Sequence, residues 1–273
     1  MEHVTRTIYG SYLQSCLKLG IPHQILPYTT LNEKLGIQSN VQPPPGVYPT
    51  IGYYALGNKG HRSQIGANGI GLSIVEQHRA TDAALFNQIP FVLREVTNDL
   101  TPFERTKYAL RREETHNGIQ HVAYYLKRIV KVDVIAEMQY RSYLNNTVTS
   151  TPFIPTVNNL NPTPVVIPDT GVTTLTGDYA VVSAQVDISL TEAEVAELVD
   201  VATILYNDSN YAIVSELAIC SGVDKVVSIT TAGVTSNFNE AIGVQIATHV
   251  AVMNNLKSSN TGVTRLLDFG TTD

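Results

Sequence analysis

The spacing of apolar and polar positions changes along this chain, and each change marks an element. Across Val4 to Leu19, Val4, Ile8, Tyr12 and Cys16 recur four apart, and Gly20 followed by Pro22 stops the run. That spacing predicts a short amphipathic helix. From Pro22 to Gly46 the prolines at 22, 27 and 43 to 45 break regular structure, so VQPPPGVYPT reads as an extended, polyproline-type connector. A short strand follows in YYAL, and then glycines at 57, 60, 66, 69 and 71. These predict a mobile or inter-subunit loop.

The stretch from Asn98 to Ile129 is the most closely specified. Thr101-Pro102-Phe103-Glu104 is a capping box with proline at the first helical position: the Thr hydroxyl accepts an orphan N–H and the Glu reaches back. Asn117-Gly118 predicts a two-residue hairpin turn, since a type I′ turn needs positive φ at both central residues. In that register His116 faces Ile119, Glu114 faces His121 and Arg112 faces Ala123. Val122, Tyr124 and Leu126 then share one face, and His121, Ala123, Tyr125 and Lys127 a second, partly apolar face that meets a neighbour or water.

After Gly177, Tyr179 to Ile188 alternates at period two and predicts a strand. Ser189 or Thr191, with Glu192 or Glu194, caps the helix that follows, and Val195, Leu198, Val199, Ala202 and Leu205 form its buried stripe. Glu192, Glu194 and Glu197 complement the helix dipole. YAIVSELAICSGVDKVVSI reads as a strand, a Gly-containing turn and a second strand. Ile242, Val244, Ile246, Thr248, Val250 and Val252 line one face of a core strand.

Between the hairpin and this region lies a run without Asp, Glu, Lys, Arg or His from Ser142 to Pro168. Its prolines at 152, 155, 162, 164 and 168 exclude a central strand and a helix. Phe153, Ile154, Val165, Val166 and Ile167 are too apolar for a free linker. The expectation is an extended arm over Asn145 to Thr176 that lays these five side chains on a neighbouring subunit, or a strap packed within its own chain. The organisation expected is therefore an N-terminal α+β domain over 1–141 with the Gly-rich loop and the Asn-Gly hairpin, an arm or strap over 142–177, and a C-terminal β-α-β-β-β domain over 178–273. The fold class is α+β: β-rich, with antiparallel hairpins, a few short helices and a long Pro/Thr-rich extended arm.

With 273 residues, 43% of them apolar, the chain is long enough to bury a sizeable core. The net charge of −6 conceals an asymmetry. Through Arg141 there are 15 Lys and Arg against 11 Asp and Glu, net +4; from Ser142 onward, 3 against 13, net −10. No basic run interleaved with aromatics offers a phosphate-backbone site, so no specific nucleic acid is expected, and head-to-tail contact between copies fits the division better. Cys16 and Cys220 are expected as free, buried thiols. The N-terminus lacks the pattern of a signal peptide, and no run reaches the length of a membrane span.

The sequence offers no catalytic constellation. The glycines fit neither GxxxxGK[ST] nor a GxGxxG between strand and helix. No HExxH, CxxC, DxDxDG or GxSxG occurs, His116 and His121 sit on offset hairpin pairs, and Glu113 and Glu114 point to opposite faces. No enzyme, cofactor, metal or small-molecule substrate is expected.

TRTIYGSYLQSCLKLGIP, YALGNKGH, the segment from Ala80 to Ile129, and SELAICSGVDK together resemble a family of virion structural proteins from large tailed bacteriophages. The resemblance implies a non-enzymatic subunit of the tail machine, of baseplate-wedge type or from the neck. It would be assembled in the host bacterial cytoplasm into the virion, with other virion proteins and copies of itself as partners. A host-facing adhesin or fibre-attachment module is the alternative.

Overall fold

Strand periodicity dominates the computed structural model, which describes residues 3–66, 68–144, 147–162, 179–231, 233–257 and 262–272. The chain opens with β1 (His3–Arg6) and α1 (Ile8–Leu19). Thr7 caps α1 by accepting the Gly10 N–H, and Gly20 ends it at φ 62°. Val4 thus belongs to a strand, and the expected stripe is mostly outside: Leu13 and Cys16 are buried, whereas Val4, Ile8 and Tyr12 are exposed. The reason is Gly10, where a Cβ would stand 2.8 Å from the Ala247 carbonyl oxygen. The helix backbone rests on that strand, which turns the Leu13 side inward.

Within the proline-broken segment, where no element is expected, Thr30 and Glu33 form a capping box around a single turn, α2 (Leu31–Lys34). Buried Asn32 then ties the segment down: its amide donates to the Ala241 carbonyl and its oxygen accepts the Val244 N–H. Next come β2 (Thr50–Gly57), β3 (His61–Ile65) and β4 (Gly71–Val75). The glycine stretch is not a free loop but an antiparallel ribbon, with His61 opposite Val75 and Ile65 opposite Gly71.

The chain continues through β5 (Gln88–Ile89), β6 (Val92–Glu95), α3 (Pro102–Arg105), β7 (Tyr108–His116) and β8 (Ile119–Arg128). Thr101 and Glu104 close the capping box of α3. Asn117 and Gly118 stand at φ 52° and 80°, and His116 pairs with Ile119, Glu114 with His121 and Arg112 with Ala123. Because a Cβ at Gly118 would meet nothing within 4 Å, Gly118→Val probes backbone strain alone. It should cost about 1 kcal/mol or more and lower the thermal midpoint by roughly 2 to 4 °C. An unchanged midpoint would contradict the turn. The second face of β8 differs from expectation: His121, Ala123 and Tyr125 are buried as well as Val122, Tyr124 and Leu126. β8 is hydrogen-bonded to β2, β6 and β7, and side chains on both of its faces are packed away from water.

Further on are β9 (Ala136–Leu144), β10 (Thr147–Pro152), β11 (Tyr179–Leu190), α4 (Glu192–Tyr206), β12 (Ile213–Thr231), β13 (Val234–Asn255) and β14 (Val263–Thr272). Thr191, with Glu194, is the cap of α4. Its buried side is Val195, Leu198, Val201 and Ala202, with Val199 and Leu205 only half-buried. The expected turn at Gly222 is absent. β12 runs straight through it as one bulged strand, and Gly222 sits in close packing there, since a Cβ would lie 3.1 Å from the Tyr53 ring.

The chain divides into two units, Met1–Ile129 with Ser189–Val263, and Val130–Ile188 with Thr264–Asp273. The first holds a sheet ordered β1-β13-β12-β2-β8-β6, with β5 on β2 and β7 on β8, and the ribbon β3-β4. The second holds a sheet ordered β10-β9-β11-β14. A C-terminal domain over 178–273 is therefore corrected: β12 and β13 share a sheet with β1 and β2, because strands apolar on both faces need neighbours that the C-terminal third cannot supply. The boundary at 141 falls inside β9. Tyr53, Leu93, Leu110, Leu126, Val244 and Ile246 belong to the core of the first unit. Among the described residues no helix is long and apolar enough to cross a membrane.

Candidate functional site

The chemistry-bearing side chains that the fold collects lie under the glycine stretch. Glu216 sits in β12 amid apolar residues and is fully buried. A register shift between Val214 and Glu216 bulges the strand there, and a bulge re-aims the side chain beside it. The Glu216 carboxylate accepts the N–H groups of Phe86 (2.7 Å), Lys59 (3.1 Å) and Asn87 (3.2 Å), and its Oε2 lies 2.9 Å from His78 Nε2. Gly57 and Gly60 make room for it: a Cβ on Gly57 would stand 2.7 Å from Oε1, and one on Gly60 would overlap the Glu216 Cγ. These two glycines serve a buried carboxylate rather than a phosphate.

His78 is held between rings, stacked on Phe86 at 4.1 Å and on His249 at 3.9 Å, with Nδ1 3.3 Å from Asp82 Oδ2. His249 Nε2 lies 3.1 Å from the Asp82 carbonyl oxygen, and its Nδ1 is buried without a hydrogen-bond partner. The residue types are those of an acid–base site. The arrangement is closed, however: the side chains of His78 and Glu216 are 1% and 0% exposed, and their polar atoms are spent on the chain itself. What it does physically is latch residues 76–87 onto β12 and β13.

Burial, then the neighbouring His78, lower the His249 pKa to about 4, while burial raises Glu240, in β13, to about 7. These act on stability with opposite signs. Between pH 6.5 and about 4 the unfolded chain binds a proton at His249 that the folded chain refuses, so this contribution is present above 6.5 and lost as pH falls. Between 4.5 and about 7 the folded chain keeps a proton on Glu240 that the unfolded chain releases, so that contribution is lost as pH rises. His249→Gln should remove a loss of about 2 to 3 kcal/mol between neutral and acid pH, and Glu240→Gln should steepen it. Denaturant unfolding across this range checks both signs; parallel curves for wild type and variants would contradict them.

Of the residues expected at an assembly contact, Phe153 and Ile154 are described. Phe153 is half-buried in its own unit, edge-on to Tyr140 at 5.3 Å, and its N–H donates to the Met138 carbonyl. Ile154 is exposed. Val165, Val166 and Ile167 lie outside the described residues. Other apolar side chains stand open that periodicity did not single out: Ile65, Ile70 and Leu72 on the β3-β4 ribbon are 76%, 62% and 49% exposed, and Val157 and Leu160 follow Ile154. The signal available for the buried cluster was Glu216 itself, a carboxylate inside an apolar strand, which must be either paired or misplaced. Its partners at 78, 82 and 249 are joined only by the fold. Among the described residues no group of His, Cys, Asp and Glu is placed to hold a metal ion.

Over residues 1–273 the chain matches the model of a family of unknown function, DUF7208. No curated protein and no solved structure matches it.

Proposed function

The chain belongs to the DUF7208 family, and we propose that it is a non-enzymatic structural subunit of a tailed-phage virion, completed by neighbours in the baseplate or neck region. The observation that carries the reading is the β3-β4 ribbon. Among the described residues it pairs only with itself, and it holds Ile65, Ile70 and Leu72 in the open. A two-stranded ribbon alone is marginal in water, and by its register Ile65 and Leu72 stand open on opposite faces, where neighbours would cover them. The closed His78–Glu216 latch supports the same reading, because it fixes the root of the ribbon while offering no atom to a substrate.

The resemblance of the N-terminal and hairpin segments to virion structural proteins supplies the kind of assembly. Quantitative mass spectrometry of purified particles tests it: the chain should occur at a fixed integer ratio to the other structural proteins. Its absence from purified particles would sink the proposal. Binding of the purified chain to host cells, with no binding to virion proteins, would favour an adhesin instead.

A further inference from the structure

We infer that the β10 edge is a self-pairing site, through which a second copy of this chain extends the four-stranded sheet antiparallel across a two-fold axis at Thr149. Among the described residues β10 is paired on one side only, by β9. The Phe153 N–H donates to the Met138 carbonyl at 2.9 Å, continuing the register that sets Pro152 opposite Gln139 and Ser150 opposite Arg141. Bonded and unbonded pairs alternate along an antiparallel ladder. Thr147, Thr149 and Thr151 therefore bond to β9, and Val148, Ser150 and Pro152 turn their N–H and C=O groups outward. Pro152 has no N–H to give, and it stands where the ladder of its own sheet loses nothing.

An antiparallel edge meeting itself about Thr149 brings Val148 of one copy opposite Ser150 of the other. Each of the two Val148–Ser150 pairs exchanges both main-chain bonds, and Pro152 lies beyond them. Two-fold pairing also sets residues near the axis against their own kind, so any charge there would face its like. β10 carries none, and neither does the chain from Ser142 to Pro168. The opposite edge, β14, carries Arg265 and Asp268. Soluble proteins guard free edges with lysine, proline, bulges or inward charge; β10 is fully exposed, rich in Thr and uncharged, and its one proline, Pro152, stands at its end.

This deepens the assembly reading and rests on it for its purpose, but the test uses the purified full chain, so its failure leaves incorporation into particles untouched. Sedimentation of the wild-type chain over rising concentration should show a monomer passing to a dimer. Ser150→Pro removes only an outward N–H, so it should keep the thermal midpoint and weaken dimerisation roughly ten- to a hundredfold. Thr149→Lys and Thr149→Glu should each be monomeric alone and form a dimer when mixed, a result that stands even if Ser150→Pro fails to fold. A wild-type monomer at every concentration would overturn the inference, as would a dimer indifferent to all three substitutions.

Discussion

Replacing Glu216 with alanine should cost about 3 to 5 kcal/mol, since it strands several buried hydrogen-bonding groups at about 1 to 3 kcal/mol each. The variant would leave the N–H groups of Lys59, Phe86 and Asn87 and the His78 ring without their shared acceptor in a place water does not reach. Desolvated donors cannot be repaid once the acceptor is gone. For a chain of this size the thermal midpoint should fall by roughly 6 to 20 °C. Glu216→Gln keeps one acceptor oxygen but turns an NH2 toward donors, so it should fall between wild type and alanine. Calorimetry gives the order directly; an alanine variant within about 1 kcal/mol of wild type would mean that the latch holds nothing.

A comparable loss is expected for Asp99→Ala. Oδ1 of Asp99 accepts the Tyr124 hydroxyl and the Leu100 N–H, each at 2.7 Å. Oδ2 meets Arg105 at 2.7 Å and Arg111 at 3.1 Å. Both guanidinium groups are nearly buried, at 8% and 9% side-chain exposure, so this carboxylate is a counter-charge that the two buried cations share. Burial, and then the Asp99 hydrogen bond, push the Tyr124 hydroxyl well above its ordinary range, which keeps it a donor. Without Asp99, Arg111 retains Glu113 at 3.0 Å and Arg105 retains the Ser236 hydroxyl at 3.1 Å. The cost should accordingly be about 3 kcal/mol, near the lower end for a broken buried pair. Asp99→Asn, which keeps an acceptor and loses the charge, should cost less. Equal stability of Asn and wild type in urea would show that the charge is not what matters there.

Local chemistry was the legible part of this sequence. The caps at Thr101, Thr191 and Gly20 and the Asn117-Gly118 turn are written within a few residues, because the groups they satisfy are that close. Periodicity misled where a strand is covered on both faces: β12 over 214–222 and β13 over 240–252 are buried at nearly every position, so the alternation read in β13 named one of two buried faces, and nothing marked that Gly222 lay inside a strand. The α1 stripe failed for a different reason, since its inward side is set by the contact of Gly10 with Ala247, far away in sequence. The same distance hid the cluster, where His78 and Glu216 are 138 positions apart. Of the uncharged run, the part in view is an edge strand with Phe153 packed in its own unit.

Hydrogen exchange of the isolated chain against the same chain in assembled particles tests the central claim most directly, since it asks whether neighbours finish this subunit. Amides of the β3-β4 ribbon and of Ile154 to Leu160 should exchange fast in the isolated chain and be strongly protected in the particle, while the core strands β12 and β13 stay protected in both. Equal exchange of the ribbon and of Ile154 to Leu160 in the two states would contradict the account.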